Sequence, residues 1–142
     1  MTKATLALIL SLTALAATTG QARAASDAEC GNWLCLPAGY PSGAGCEPPY
    51  KAMLKRLKEL KSPLPAYGDC ASNNSGDIPA EYRMTAHDGI ATYYQGAYHK
   101  GERCHWIHDA WEPWGCMGRN YWYVEVFDAS GKQLGPTQYI AR

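Results

Sequence analysis

Cys30-Gly31-Asn32-Trp33-Leu34-Cys35-Leu36 is followed by Pro37-Ala38-Gly39-Tyr40-Pro41-Ser42-Gly43, then by Cys46, then by a basic stretch that reaches Lys61. That order decides the fold of the first half: helix, turn, helix, tied by cysteines. Ser26 and Asp27 can cap a first helix running to about Leu36, with Glu29 in its first turn. The Pro/Gly segment breaks it. Pro48-Pro49 suit the first turn of a second helix, which is expected to run to about Lys61. Tyr50, Met53, Leu54, Leu57 and Leu60 recur at helical spacing and make one apolar stripe. Lys51, Lys55, Arg56, Lys58 and Lys61 cover the other side, read as a solvated face or else as a docking surface for an acidic partner. Ser62-Pro63-Leu64-Pro65 stops the helix.

The six cysteines are expected to be structural. If Cys30 and Cys35 share one helix, they lie about 140° apart around its axis and roughly 8 Å apart along it. That is too far for a direct bridge. Cys35 and Cys46 flank the turn and can close the hairpin. Cys30 can then reach Cys70 beyond the second helix, and Cys104 and Cys116 can close a Trp-rich loop. This set is favoured among the pairings that six cysteines allow. No C-x-x-C redox motif is present.

The chain opens with a short basic start, Met1-Thr2-Lys3, and an apolar run from Ala4 to about Ala17. Gln21-Ala22-Arg23-Ala24 supplies the small residues of an A-x-A cleavage site, so residues 1–24 read as a secretory signal peptide. The run holds about 14 residues, whereas a spanning helix needs roughly 20. After cleavage the protein would not be an integral membrane protein. The context of Cys30 is not one for lipid attachment. An even number of cysteines in an exported chain points to disulfides and to the periplasm or the exterior. Cleavage leaves 118 residues, one domain by size, in which 11 basic side chains face 13 acidic ones. No basic surplus exists to neutralise phosphates, so nucleic acid is not an expected partner.

Residues 25–70 read as the helical hairpin, 71–84 as a polar loop, and 85–142 as a Trp/Tyr-rich β region. The fold class is α+β: a disulfide-stapled N-terminal helical hairpin followed by a small antiparallel β lobe. The whole chain carries ten tyrosines and five tryptophans against one phenylalanine. These side chains have an apolar body and a polar tip, which suits half-exposed surfaces. Gly89–Gln95, Arg103–Ile107 and Tyr121–Phe127 are strand candidates. Asp128–Lys132 reads as a hairpin turn with Gly131 at the bend, and Gln133–Ile140 as the returning strand. Pro136 marks that last strand as an edge.

The segment Cys30-x-x-x-Leu34-Cys35-Leu36, then a Pro/Gly turn, Cys46 and an amphipathic helix, resembles the TrbM/KikA family of conjugal transfer proteins. The resemblance covers residues 30 to about 70. It implies an exported accessory of a plasmid conjugation system, which belongs to type IV secretion. Its partners would be envelope proteins of the transfer apparatus. The family supplies no catalytic residues to carry over.

His105-x-x-His108, between Cys104 and Asp109, has the residue types of a zinc site. On a strand, however, residues three apart point to opposite faces, and Cys104 is expected in a disulfide. No metal site is assigned, and no cofactor. Trp106, Trp111, Trp114 and Trp122 are read first as a small core packed on the Cys104–Cys116 bridge. Exposed, they would instead serve a protein interface or stack on sugar rings. No nucleophile elbow, phosphate loop or H-E-x-x-H motif is present. The expectation is therefore a non-enzyme acting by protein–protein binding, with Trp33, Tyr40, Trp111 and Trp114 as candidate contact residues. The alternative is an envelope glycan-binding module or inhibitor built on the Trp-rich lobe.

Overall fold

The computed structural model describes residues 25–70 and 79–142. Residues 1–24, where the signal peptide is expected, and most of the expected 71–84 loop lie outside the described residues. The fold is mixed α+β. Helices α1 (Asp27–Cys30), α2 (Asn32–Cys35) and α3 (Glu47–Lys58) come first. Strands β1 (Thr85–Tyr94), β2 (Ala97–Lys100), β3 (His105–Ile107), β4 (Ala110–Glu112), β5 (Asn120–Phe127) and β6 (Gln138–Ala141) follow.

The first helix expected from the sequence is two short ones. Ser26 caps α1 through a reciprocal capping box with Glu29. The chain stays right-handed at Gly31, where α1 hands over to α2. The Pro49 ring fills the space beside Gly31, and a Cβ there would stand 2.6 Å from Pro49 Cγ. Helix α3 ends at Lys58 rather than Lys61. The Leu60 N–H bonds to Leu57 O and the Lys61 N–H to Arg56 O, with Leu60 left-handed at φ 58°. This is a Schellman closure on a non-glycine residue.

All three cysteine pairs form as expected: Cys30–Cys70, Cys35–Cys46 and Cys104–Cys116, with Cα separations of 5.3, 5.6 and 5.8 Å. Cys35–Cys46 ties α2 to the start of α3, and Cys30–Cys70 ties α1 to the turn Tyr67–Cys70 beyond α3. Asn32, fully buried, joins α1, α2 and α3 through polar bonds. Its amide donates to Pro49 O at 2.8 Å and to Glu29 O at 3.1 Å, and accepts from the Tyr40 hydroxyl at 2.6 Å. A buried amide with its bonds made fixes one geometry rather than costing stability.

The larger sheet has strand order β2-β1-β5-β6, all antiparallel. Val124, Val126 and Ile140 project from one face and pack with Trp33, Leu36, Met53, Leu57 and Leu64 of the helical half. Of the expected apolar stripe on α3, Met53 and Leu57 enter this core; Tyr50 and Leu60 lie at the surface. Strand β6 is an edge strand, as Pro136 implied, but shorter than expected. The return begins with a Phe127–Gln133 bridge. It is then interrupted at Gly135 and Pro136, where Gly135 lies against the backbone of Pro37.

The other face of this sheet is lined with tyrosines. Tyr98 on edge strand β2 stacks on Tyr139 of the opposite edge strand at 3.8 Å between centroids, and meets Tyr93 and Tyr121 edge-on. In a flat sheet, strands about 4.8 Å apart would hold β2 and β6 too distant for that stack. The face is therefore concave, and the rings close over Ala91, which is fully buried. Glu125 on the same face is buried too. Its carboxylate accepts from Lys100 Nζ at 2.6 Å and from the Thr137 hydroxyl at 2.7 Å.

Candidate binding surface

Strands β3 and β4 form a separate two-stranded hairpin. It was expected as one short strand and a loop. The register places Trp106 directly opposite Trp111, His105 opposite Glu112, and Ile107 opposite Ala110. Because side chains alternate across a strand, Trp106 and Trp111 share one face, and His105, Glu112, Ile107 and Ala110 share the other. The two indoles meet edge-to-face at 5.2 Å. At the tip, His108 and Asp109 both adopt left-handed backbone, with φ of 49° and 61°. A two-residue primed turn needs that conformation, and Gly or Asn usually supplies it.

The base of the hairpin is rigidly held. Cys104 and Cys116 are buried in their bridge. Asn120 clamps Cys104 from both sides, accepting from its N–H and donating to its C=O, each at 2.8 Å. Arg119 donates to the carbonyls of Cys116 and Gly115 at 3.2 and 3.0 Å, and its guanidinium lies 5.0 Å from the centroid of the Tyr93 ring. The Trp111 ring lies over Gly118, where a Cβ would come within 3.1 Å of it.

Above that base the apolar side chains are bare. Trp114 is 77% exposed, Met117 70%, and Trp106 57%; Ile107 and Trp111 are exposed as well. The expected small core around these tryptophans is thus overturned. Only Trp122 of the four turns inward: it projects from the core face of β5, packs against the main core, and carries Arg142 4.6 Å over its ring. The bridge and the Asn120 clamp stabilise the loop without covering the indoles.

Trp33, a candidate contact residue, is 4% exposed and lies in the main core, edge-to-face with Tyr67 at 5.1 Å. It is not available to a partner. Its helix faces the sheet, and sequence spacing gave no sign of which side of α2 would be covered. Tyr40 is half-buried, its hydroxyl committed to Asn32 and its ring edge-on to Tyr50 at 5.0 Å. Burial pushes that hydroxyl's pKa well above the ordinary tyrosine value. Trp111 and Trp114 lie at the surface, together with Trp106. Met117, next to the Gly118 that Trp111 covers, is exposed as well, and Ile107 is exposed on the opposite face of the hairpin; sequence reasoning missed both.

His105 and His108 do not converge on a common centre with acids. His105 Nδ1 lies 3.0 Å from Arg103 O. No group of three or more metal-ligating side chains occurs among the described residues. On α3, Lys51 pairs with Glu47 and Arg56 with Glu29. No helix among the described residues is long and apolar enough to cross a membrane. No protein-family model matches the chain, and no curated protein or solved structure matches it.

Proposed function

We propose that this chain is an extracytoplasmic binding protein whose contact element is the tryptophan hairpin, residues 104–119, and whose partner is another protein. The observation that carries this reading is a set of bare Trp and Met side chains on a loop locked at its base by a disulfide and an asparagine clamp. Large apolar groups left in water mark interaction sites. Truncated aromatic anchors typically cost about 2 kcal/mol or more of binding energy. A loop already fixed in shape loses little entropy when it docks. The compartment follows from three disulfides, which persist where the environment is oxidising.

The resemblance of residues 30–70 to TrbM/KikA proteins suggests the setting: an exported accessory of a conjugation apparatus, docking on envelope proteins. The rival is a glycan-binding module. Exposed indoles favour it, since sugars stack on such rings. Against it, His105 and Glu112, which could bond sugar hydroxyls, lie on the opposite face of the hairpin from Trp106 and Trp111. A protein partner needs no such polar set beside the rings.

The test is a Trp106→Ala/Trp114→Ala double variant with an unchanged circular dichroism spectrum. Crosslinking to envelope proteins and plasmid transfer frequency should both fall. If transfer is unchanged and only the intact protein sediments with cell wall, the glycan reading replaces this one.

A further inference from the structure

A second site lies on the far half of the molecule. Between the Pro/Gly turn and the start of α3 runs a groove of about 630 Å³. Its walls are the rings of Tyr40 and Tyr50, with Pro41 and Pro48 beside them. Gly43 and Gly45 also line it, both left-handed, and a Cβ at either position would meet open space. The walls are preformed. Cys35–Cys46 ties the turn to the helix start, and the Asn32–Tyr40 hydrogen bond fixes the Tyr40 ring. Glu47 is the one acid or base among the lining side chains apart from the two tyrosines.

We infer that this groove takes a proline-rich extended segment of a partner protein that carries an arginine or lysine beside its prolines. A polyproline helix has no internal hydrogen bonds, rises about 3.1 Å per residue and is already ordered before it binds. Aromatic-lined grooves accept it on that account, ring against pyrrolidine. The Tyr50 and Ser42 hydroxyls have no protein partner among the described residues and can donate to its carbonyls. Charge complementarity sets the flank. Lys51, 2.6 Å from the Glu47 carboxylate, lowers its pKa, and the pair is largely exposed. Exposed pairs of this kind are weak. A guanidinium, which binds a carboxylate through two bonds, can displace the lysine. This site is separate from the tryptophan hairpin and does not depend on its role.

The experiment uses the intact protein and a synthetic peptide of prolines with one flanking arginine, followed by chemical-shift titration. The peptide should shift Tyr40, Tyr50 and Gly43. Replacing its prolines by alanine, or its arginine by glutamate, should weaken binding about tenfold or more, as for loss of an anchor. Tyr50→Ala should do the same. Glu47→Lys, at an exposed site in the first turn of α3, should reverse the preference at the flank, with an unchanged circular dichroism spectrum showing that the helix start is kept. Lys51→Ala should tighten binding by freeing Glu47. Trp106→Ala and Trp114→Ala should leave this binding intact. No binding, or binding that Tyr50→Ala and Glu47→Lys both leave unchanged, overturns the inference.

Discussion

Trp33 and Trp114 are the same residue type, each close to a disulfide, and the fold treats them oppositely. Trp33 sits on α2 between the bridges of the helical half and is swallowed by the core. Trp114 sits in the loop closed by Cys104–Cys116 and stands in water. The difference lies in what each bridge has beside it. Cys30–Cys70 and Cys35–Cys46 press three helical elements onto a sheet that has an apolar face to cover. Cys104–Cys116 closes a loop with no apolar layer opposite it, and its clamp joins the Asn120 side-chain amide to the Cys104 backbone, which covers no indole. A disulfide near an aromatic residue therefore says little about its burial. The layer opposite decides it.

The largest effects should come from breaking the covered half. Trp33→Ala should cost about 3–5 kcal/mol, the usual range for emptying a buried aromatic site. Its indole N–H has no acceptor among the described residues, so Trp33→Phe, which removes that group while keeping a ring, should cost much less. Denaturant unfolding of both variants measures this. Equal losses for the two would mean that indole volume, not aromatic packing in general, is what the site requires.

The bridges should rank next. In the chain-entropy view, longer loops gain more, about 4 kcal/mol for the 40-residue separation of Cys30–Cys70 and about 3 for the 12-residue separation of Cys104–Cys116. Paired Cys→Ser substitutions at Cys30 and Cys70 should lower the urea midpoint more than those at Cys104 and Cys116. The second pair should instead raise hydrogen exchange locally around residues 104–119, where the bridge is a main support. An inverted order would show that the hairpin is integral to the fold rather than attached to it.

The Glu29–Arg56 pair sharpens the same contrast by pH. The Ser26 N–H, the Arg56 guanidinium at 2.8 Å and the Ser26 hydroxyl pull the Glu29 pKa from 4.5 down to about 2. A depressed carboxylate stabilises the folded state fully above its unfolded pKa and loses that contribution as pH falls toward the folded value. Stability should therefore decline between about pH 5 and pH 2. The contribution at neutral pH should be roughly 2 kcal/mol once solvent screening is allowed for. Arg56 also donates to the carbonyls of Ser62 and Leu64, so Glu29→Gln is the cleaner probe. It should flatten the acid limb, read by urea unfolding at pH 7, 4 and 2.5. An unchanged slope would move the acid sensitivity to another carboxylate.

Much of this architecture was legible in the sequence. The helix-turn-helix order, the three cysteine pairs, the hairpin turn at Asp128–Lys132 and strand β5 followed from spacing and turn chemistry. What spacing does not carry is the partner surface. Strand β2 (Ala97–Lys100) is polar, and only its turn, with Gln95 and Gly96 both left-handed, gives it away. Strand β4 was hidden because its turn, His108-Asp109, lacks the glycine that marks such bends. The stripe on α3 showed a helix but not where its cover ends, so Tyr50 and Leu60 looked like core. For the candidate site, the sequence located the tryptophans but not their exposure, and it pointed to Trp33 for a role that burial denies.

The smallest stability effect should come from the exposed half, and it tests the comparison most directly. Trp114→Ala removes a side chain that is 77% exposed, so folding stability should change by no more than about 0.5 kcal/mol, as for surface sites without special partners. Trp111→Ala should cost somewhat more, because its ring covers Gly118 and meets Trp106. Thermal unfolding of the two variants beside Trp33→Ala gives the ordering. If Trp114→Ala instead destabilises as much as a core substitution, the indole is covered in solution. Sedimentation would then show whether a second copy of the chain covers it. If stability holds but envelope crosslinking also holds, Trp114 is bare without being a contact. The binding surface would then have to be sought at Trp106 and Met117, where Trp106→Ala is the next variant to measure.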